Sequence, residues 1–498
     1  MSIFKEGMKM NEKYESTRNQ FVTSTGKQAV LKGIAPDGGL YVRRDLEDLK
    51  VDLDRVLESS YKENAAYILG LLFDDYTTEE IETACENAYT GTFRHELTVP
   101  VQTAGDVEVL ELFHGPTSAF KDVALTMLPQ LMSAALKDTG EKALILTATS
   151  GDTGKAALSG FEDVEGTGIA VFYPDGKVSD VQYRQMATQK GNNVKVFGVR
   201  GNFDDAQTAV KNLFLDEDLN KEAAQHGIRL TSANSINIGR LAPQVVYYFD
   251  AWKQLVQAGK ISKEDKVSFS VPTGNFGDVL AGCYACFMGL PVEKFIVASN
   301  ANNVLTDFLT TGVYDRNREF VKTISPSMDI LISSNLERLL YYMSGKDNAK
   351  VKGWMEELAE TGRYQVDEAT LANIQKLFTC AWNDDDQTRE TIRDVYEKTG
   401  YVLDPHSAIG YKAASESGLR PMISLATASP YKFAQDVLKA IDGKDHEPWP
   451  ALHELEAICQ EAMPAPLKEV EAADIRHKDI IEVGDMKQAV KDTWEACL

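Results

Sequence analysis

Residues 143–173 read ALILTATSGDTGKAALSGFEDVEGTGIAVFY, and this stretch decides the fold class. Ala143 to Ala148 is a short apolar run, Thr149 to Gly154 is a glycine-bearing turn, and a helical pattern follows from Lys155. Gly168 to Tyr173 is a second apolar run. Strand, crossover helix and strand make a βαβ unit, and strands without polar alternation are those covered on both faces. The rhythm continues outward. Val194–Phe197, Ile228–Thr231, Lys266–Val271, Phe295–Ala298 and Met422–Ala426 read as further strands. Helices are expected at Val181–Gln189, at Ala206–Leu213 and, as one long element, at Ile238–Leu255. The expectation is an α/β protein of two lobes built on parallel or mixed sheets.

The first 100 residues read as mostly polar and helical, with a Pro36-Asp37-Gly38-Gly39 turn and a short strand at Leu40–Val42. The expected division is an N-terminal domain at 1–100, the start of a large domain at 101–135, a small α/β domain at 136–230, and the rest of the large domain with a C-terminal helical extension at 231–498. Asp384 to Asp386 reads as a solvated loop. The residues after Glu447, broken by Pro448, Pro450, Pro464 and Pro466, read as surface helices covering the core.

Composition bounds the function. The 498 residues carry a formal charge of −23. That balance argues against nucleic-acid or anionic-membrane partners, both of which need a basic surface. A small anionic substrate in a local basic pocket stays compatible with it. Met1 to Tyr14 holds no apolar leader region, and no apolar stretch approaches the roughly 18 residues of a membrane span, so a cytoplasmic protein is expected. The six Cys read as reduced, packed thiols. Cys283-x-x-Cys286 reads as helix packing, and the seven His have no zinc-ligand spacing, so no metal is expected.

Five segments can carry chemistry. Lys121 follows a Gly115-Pro116 turn and opens an apolar helix with Val123, Leu125, Leu128 and Leu131. A lysine fixed there is either solvent-directed or desolvated, and a desolvated one is a nucleophile or base. Ser150, Gly151, Asp152, Thr153 and Gly154 lie between strand and helix, and exposed N–H groups there bind an anion such as a carboxylate. Gly274, Asn275, Phe276, Gly277 and Asp278 repeat that arrangement as a phosphate cup, with neither a dinucleotide fingerprint nor a Walker loop. Asn234 and Ser235 lead into a helix with Arg240 in its first turns, a set of donors for a phosphoryl group. Thr427 lies just past the strand Met422–Ala426, where α/β sites gather. Taken singly, each turn is equally an ordinary capped connection.

Together the segments resemble the threonine synthase family, pyridoxal-phosphate (PLP) enzymes of fold type II. The resemblance covers nearly the whole chain. It is carried by Tyr14–Arg18, Gly33–Tyr41, Glu111–Thr117 with Phe120-Lys121-Asp122, and the four turns in their order and spacing. It implies a Schiff base between Lys121 and PLP, with the cofactor phosphate in Gly274 to Asp278. It further implies Thr427 on the pyridine nitrogen and Asp152 near the phenolic oxygen. Ser150 to Gly154 would hold the substrate carboxylate, and Asn234, Ser235 and Arg240 its phosphate, with Lys155 as an additional cation. Ser118 and Ser429 stand where relatives often carry other residues, frequently His at the latter. The implied reaction converts O-phospho-L-homoserine and water to L-threonine and phosphate, the last step of threonine biosynthesis, by a monomer or homodimer. Alternatives are an eliminating enzyme of the same fold type that yields 2-oxobutyrate, and a paralogue that binds without turnover.

Overall fold

The computed structural model describes residues 12–149, 151–459 and 461–498. Near the N-terminus, β1 (Tyr14–Ser16), β2 (Asn19–Ser24) and β3 (Tyr41–Arg43) form an antiparallel sheet in the order β2-β1-β3. Helices α1 (Gly26–Lys32), α2 (Tyr61–Leu72) and α3 (Thr78–Tyr89) accompany it. Both α2 and α3 start with reciprocal capping boxes, Ser60 with Glu63 and Thr77 with Glu80, which satisfy N–H groups the first turn leaves free. The strand expected at Leu40–Val42 is β3, displaced by one residue.

Next come the hairpin β4 (Val101–Ala104) and β5 (Val107–Glu111), then α4 (Lys121–Leu125) and α5 (Met127–Thr139). The succession β6 (Lys142–Ala148), α6 (Asp152–Phe161), β7 (Thr167–Pro174), α7 (Asp180–Ala187), β8 (Val194–Arg200) and β9 (Ile228–Thr231) follows. After it come α8 (Ile238–Leu241), α9 (Gln244–Gln257), β10 (Val267–Pro272), α10 (Gly277–Phe287), β11 (Val292–Ser299) and α11 (Leu336–Met343). Then follow β12 (Phe378–Trp382), α12 (Asp385–Thr399), α13 (Pro405–Glu416), β13 (Met422–Ala426), β14 (Ile480–Glu482) and α14 (Met486–Cys497).

These strands form two large sheets. The larger has the order β12-β11-β10-β13-β5-β4 and is parallel except at the β4–β5 hairpin. The smaller, β14-β8-β7-β6-β9, is parallel throughout. Every residue of β7 and of β10 is buried, as strands covered on both faces require. In the larger sheet the order runs from β10 outward to β12 on one side and through β13 to β5 on the other. Ligands of open α/β sheets bind beyond the carboxyl ends of the strands at such a reversal. The connections after β5, β10 and β13 all start there.

Four expectations need correction. The single helix over Ile238–Leu255 is two, α8 and α9, broken beside Pro243, which has no N–H to donate. Helix α6 starts at Asp152, not at Lys155. The acidic run at Asp384 is no loop: Asp384 caps α12 in a box with Gln387, and Asp385 and Asp386 occupy the first turn, where carboxylates suit the helix dipole. The tail does form surface helices at Pro448–Glu456 and Ala465–Ala472, but it also returns to the smaller sheet. There β14 pairs with β8, and Met486, Val490 and Trp494 of α14 are buried with Leu144 and Phe172. Among the described residues, no helix is long and apolar enough to cross a membrane.

Candidate active site

The loop before Lys121 is stitched to the end of β13. Leu112 N–H donates to Ala426 O at 3.0 Å, Phe120 N–H to Thr427 O at 2.8 Å, and Ser429 N–H to Ser118 O at 3.0 Å. Asp122 accepts from Thr117 N at 2.8 Å and from Thr117 Oγ1 at 2.5 Å. Gly115 passes so close to Asp122 that a Cβ there would sit 2.4 Å from the Asp122 Cβ, so this position excludes a side chain. Arg94 clamps the same loop through Gly115 O at 2.7 Å and Phe113 O at 2.9 Å. The result is a fixed start for α4. Lys121 Nζ has no hydrogen-bond or ion-pair partner among the described residues. Burial pulls its pKa down to about 8; Asp152 opposes this, and Lys432 and Arg240 add to it. Burial pushes the Asp122 carboxyl up, which weakens it as a counter-ion.

Asp152 meets a cation that the sequence did not single out. Lys432 Nζ lies 2.9 Å from Asp152 Oδ1 and donates to Thr117 O at 3.0 Å, and both charged side chains are buried. Burial alone would raise the Asp152 carboxyl; Lys432 and then Lys121 override it and hold it well below the ordinary carboxylate range. The pair bridges the first turn of α6 and the segment after β13.

In the turn before α6, the Thr149 hydroxyl accepts from Gly151 N at 3.0 Å and from Gly154 N at 2.9 Å. The N–H groups of Asp152 and Thr153 keep no partner among the described residues and remain the donors for an anion. Gly151 has φ +151°, and a Cβ there would fall 2.4 Å from the Gln182 side chain on α7. Ser150 lies outside the described residues. Lys155, one turn along α6, donates to Gln189 Oε1 at 2.5 Å, and burial lowers it to about 8.

The turn after β10 enters α10 through Phe276, which has φ +64° and a buried ring packed 5.9 Å from Phe378. The backbone N–H groups of Gly274, Asn275, Phe276 and Gly277 have no partner among the described residues. A Cβ on Gly274 would lie 3.0 Å from Ser327 O, so the backbone here is pressed against its neighbour. Four free N–H groups at a helix start form an anion receptor. Asp278 does not oppose it fully. Burial pushes its carboxyl up to about 7, against the lowering effect of the Val279 N–H, so it is neutral in part at neutral pH.

The third candidate is the segment Asn234 to Arg240. Arg240 Nη1 donates to Ala233 O at 2.7 Å, but among the described residues its Nε has no partner and no carboxylate faces it. Burial alone lowers this guanidinium to about 10. The side chains of Asn234 and Ser235 make no hydrogen bonds among the described residues. A buried, uncompensated guanidinium is costly unless a ligand supplies the anion. Thr427, also buried, uses its N–H on Ser407 Oγ at 3.0 Å and leaves its hydroxyl without a partner among the described residues.

These features fit the expected cofactor: an unpaired amine, a cradle of free N–H groups for a phosphate, and a free hydroxyl beside them. Asp152, Arg240 and Asp278 each lie within electrostatic reach of Lys121. Thr427 joins them through the bond from Phe120. Sequence reasoning missed Lys432, although it sits in the polar segment after β13, because its partner is far away in the chain. It also missed Ser333, Asn335 and Arg338, whose polar run before an apolar helix is an ordinary helix-start signal. Among the described residues, Glu111, His114 and Glu461 have metal-ligand spacing, but His114 already lies 2.8 Å from Glu111 Oε2, and Glu111 accepts from Tyr401.

Comparison with known proteins gives one consistent family. Residues 13–89 match the family described as threonine synthase N terminus, residues 107–381 the pyridoxal-phosphate dependent enzyme family, and residues 407–490 the C-terminal part of threonine synthase. A threonine synthase of Pseudomonas aeruginosa is 40% identical over 440 residues, covering 86% of this chain and 90% of that protein. Human threonine synthase-like 1 is 38% identical over 432 residues; the match takes 84% of this chain and 58% of that longer protein. The crystal structure of PLP-bound threonine synthase from Brucella melitensis superposes with a TM-score of 0.86 at 38% identity, over 97% of this chain and 99% of that one.

Proposed function

Because this chain belongs to the threonine synthase family of pyridoxal-phosphate-dependent enzymes, we propose that this site converts O-phospho-L-homoserine and water to L-threonine and phosphate by β,γ-replacement. Bound PLP supplies an aldehyde that condenses with amines and a ring that accepts electron density from the substrate α-carbon. Every other part of the chemistry falls to side chains and backbone of this chain.

Lys121 Nζ holds the cofactor at rest. With the substrate amine in its place, the freed Lys121 amine would move protons at the substrate's α-, β- and γ-carbons, the γ-carbon gaining the one that makes it the threonine methyl after phosphate leaves. A pKa near 8 suits both directions of transfer at neutral pH. The N–H groups of Gly274 to Gly277 receive the cofactor phosphate, and Asp278 relieves repulsion there by its partial neutrality. The Thr427 hydroxyl would serve the ring nitrogen as a neutral partner, which suits an unprotonated nitrogen. Asp152 would serve the phenolic oxygen, with Lys432 balancing its charge. The turn from Ser150 to Gly154 binds the substrate carboxylate, chiefly through the N–H groups of Asp152 and Thr153. Arg240, with Asn234 and Ser235, receives the substrate phosphate and stabilises the charge that gathers on it as the γ C–O bond breaks.

The observation that carries this assignment is the buried Arg240, which has no carboxylate partner among the described residues, within electrostatic reach of Lys121, which has no partner among them either. The test is product analysis with the PLP-loaded protein and O-phospho-L-homoserine. Threonine in step with phosphate supports the synthase; phosphate with 2-oxobutyrate moves the chain to the eliminating enzymes, and no phosphate refutes both. Lys121→Ala is expected to fold, to lack the yellow absorbance of the attached cofactor and to turn over nothing.

A further inference from the structure

The two anion receptors are held by one short segment that none of the steps above uses. Residues Ser333 to Arg338 lead into α11. Asn335 is its N-cap residue, yet its side chain makes no cap bond. A capping Asn ordinarily accepts from the first N–H groups of its own helix. Here Asn335 Nδ2 donates to Ser235 O at 3.1 Å, and Oδ1 accepts from Arg338 Nη1. The Asn335 backbone N–H donates to Asn275 O at 3.0 Å. Ser333 Oγ donates to Gly274 O at 2.7 Å, and Ser334 Oγ to Asn275 Oδ1 at 3.1 Å. Arg338 is fully buried and adds bonds to Ile236 O at 2.6 Å and Tyr41 O at 2.9 Å. One segment therefore grips the turn after β10, the loop before α8 and the N-terminal sheet.

The direction of these bonds matters. In a trans peptide the C=O and the next N–H point opposite ways. A bond on Gly274 O turns Asn275 N–H away from α11, a bond on Asn275 O does the same for Phe276 N–H, and a bond on Ser235 O for Ile236 N–H. We infer that Asn335 and Ser333 are positioning residues that aim and space the two phosphate receptors: Ser333 acts on the cofactor side and the Asn335 side chain on the substrate side. This rests on the assignment of those segments as phosphate receptors made above.

The two bonds can be cut separately. Ser333→Ala removes only the hydroxyl on Gly274 O. Asn335→Ala removes the amide on Ser235 O together with the acceptor of Arg338 Nη1, and keeps the backbone bond to Asn275 O. Two constants are measured: PLP dissociation by titration of the apoprotein, and half-saturation of the loaded protein with O-phospho-L-homoserine, read from its spectral change. Ser333→Ala is expected to weaken PLP binding about fivefold or more and to move the substrate constant less than about twofold, the ordinary effect of one hydrogen bond. Asn335→Ala is expected to show the reverse pattern, with KM raised and kcat little changed. Both constants moving together in each variant, in step with Tm, overturns the inference, as does no change in either.

If Asn335→Ala gives no soluble protein, Asn335→Asp keeps the size and the Arg338 contact but sets a carboxylate oxygen against Ser235 O. It must show the same substrate-side loss; an unchanged substrate constant there overturns the inference. Arg240→Ala separates the two levels. Normal substrate binding in Arg240→Ala refutes the receptor assignment itself. Weak binding in Arg240→Ala beside normal binding in Asn335→Ala refutes only the positioning role.

Discussion

Replacing Lys432 by Met tests how the site balances its charges. The substitution keeps the length of the side chain and deletes the ammonium that lies 2.9 Å from Asp152 Oδ1. At that distance, with an effective dielectric near 20, the gross attraction is about 6 kcal/mol, much of which offsets the desolvation of two ions. Both side chains are nearly inaccessible, at 2% and 7% exposed, so solvent cannot take over from the lost partner. Removing one member of such a pair costs about 3–5 kcal/mol. The lower end is expected for the apoprotein, where Lys121 still faces Asp152.

The sign with pH follows from the direction of the Asp152 shift. Its folded pKa is depressed, so its contribution is present above the ordinary carboxylate pKa and fades as pH falls through the lower folded value. Without Lys432 the folded pKa rises. The deficit of Lys432→Met in denaturant melts should therefore be largest near neutrality and shrink as pH falls below about 4. Lys121 should move up as well. Lys432 helps to lower it, so in Lys432→Met its titration should rise above 8, seen as a higher pH midpoint for capture of PLP by the apoprotein. Wild-type stability at pH 7, or a capture midpoint that stays or falls, would refute the charge balance described here.

Three further outcomes are expected. Arg240→Ala should raise KM for O-phospho-L-homoserine about 10- to 100-fold, the effect of a charged hydrogen-bond partner, while PLP stays bound; loss of PLP instead would mean that the other anion sits there. Pyridoxine 5'-phosphate, which lacks the aldehyde, should bind more weakly as pH rises through 7 and Asp278 ionises, and Asp278→Asn should flatten that profile; a flat wild-type profile from pH 6 to 8 would show that the carboxyl does not act on the phosphate. Gly160→Ala should cost about 1–3 kcal/mol in thermal unfolding, because the added Cβ would lie 1.9 Å from Leu125 O and push α6 off α4; an unchanged Tm would refute that contact.

The parallel strands were legible because burial on both faces leaves unbroken apolar runs, and β6, β7, β9, β10 and β13 lie where those runs are. Strands β1 and β2 were not. Tyr14 to Ser24 is polar, and what fixes it is distant: Arg18 forms a two-pronged bond with Glu337, Thr17 reaches the same carboxylate, and Glu15 meets Tyr341. The site shows the same limit. Lys121, Asp278 and Arg240 announced themselves by residue type beside a turn, which is local information. That Arg240 meets no carboxylate among the described residues, that Asp152 owns Lys432, and that Gly151 and Gly154 spend their N–H groups on Thr149 are facts of packing. Proline broke the long helix at residue 243, a local signal that the apolar periodicity of Val245 to Leu255 hid.

The stitching of the Lys121 loop to residues 427–429 has a consequence for biosynthesis. The bonds from Phe120 to Thr427 and from Ser429 to Ser118 join segments roughly 300 residues apart. At about 5–20 residues per second, a ribosome that has made the lysine needs roughly 15–60 s more to make its partners. Throughout that interval β5 also lacks its neighbour β13. A ribosome stalled before residue 427 thus carries a chain that has the lysine without its site, and cofactor loading waits until about six-sevenths of the 498 codons have been read.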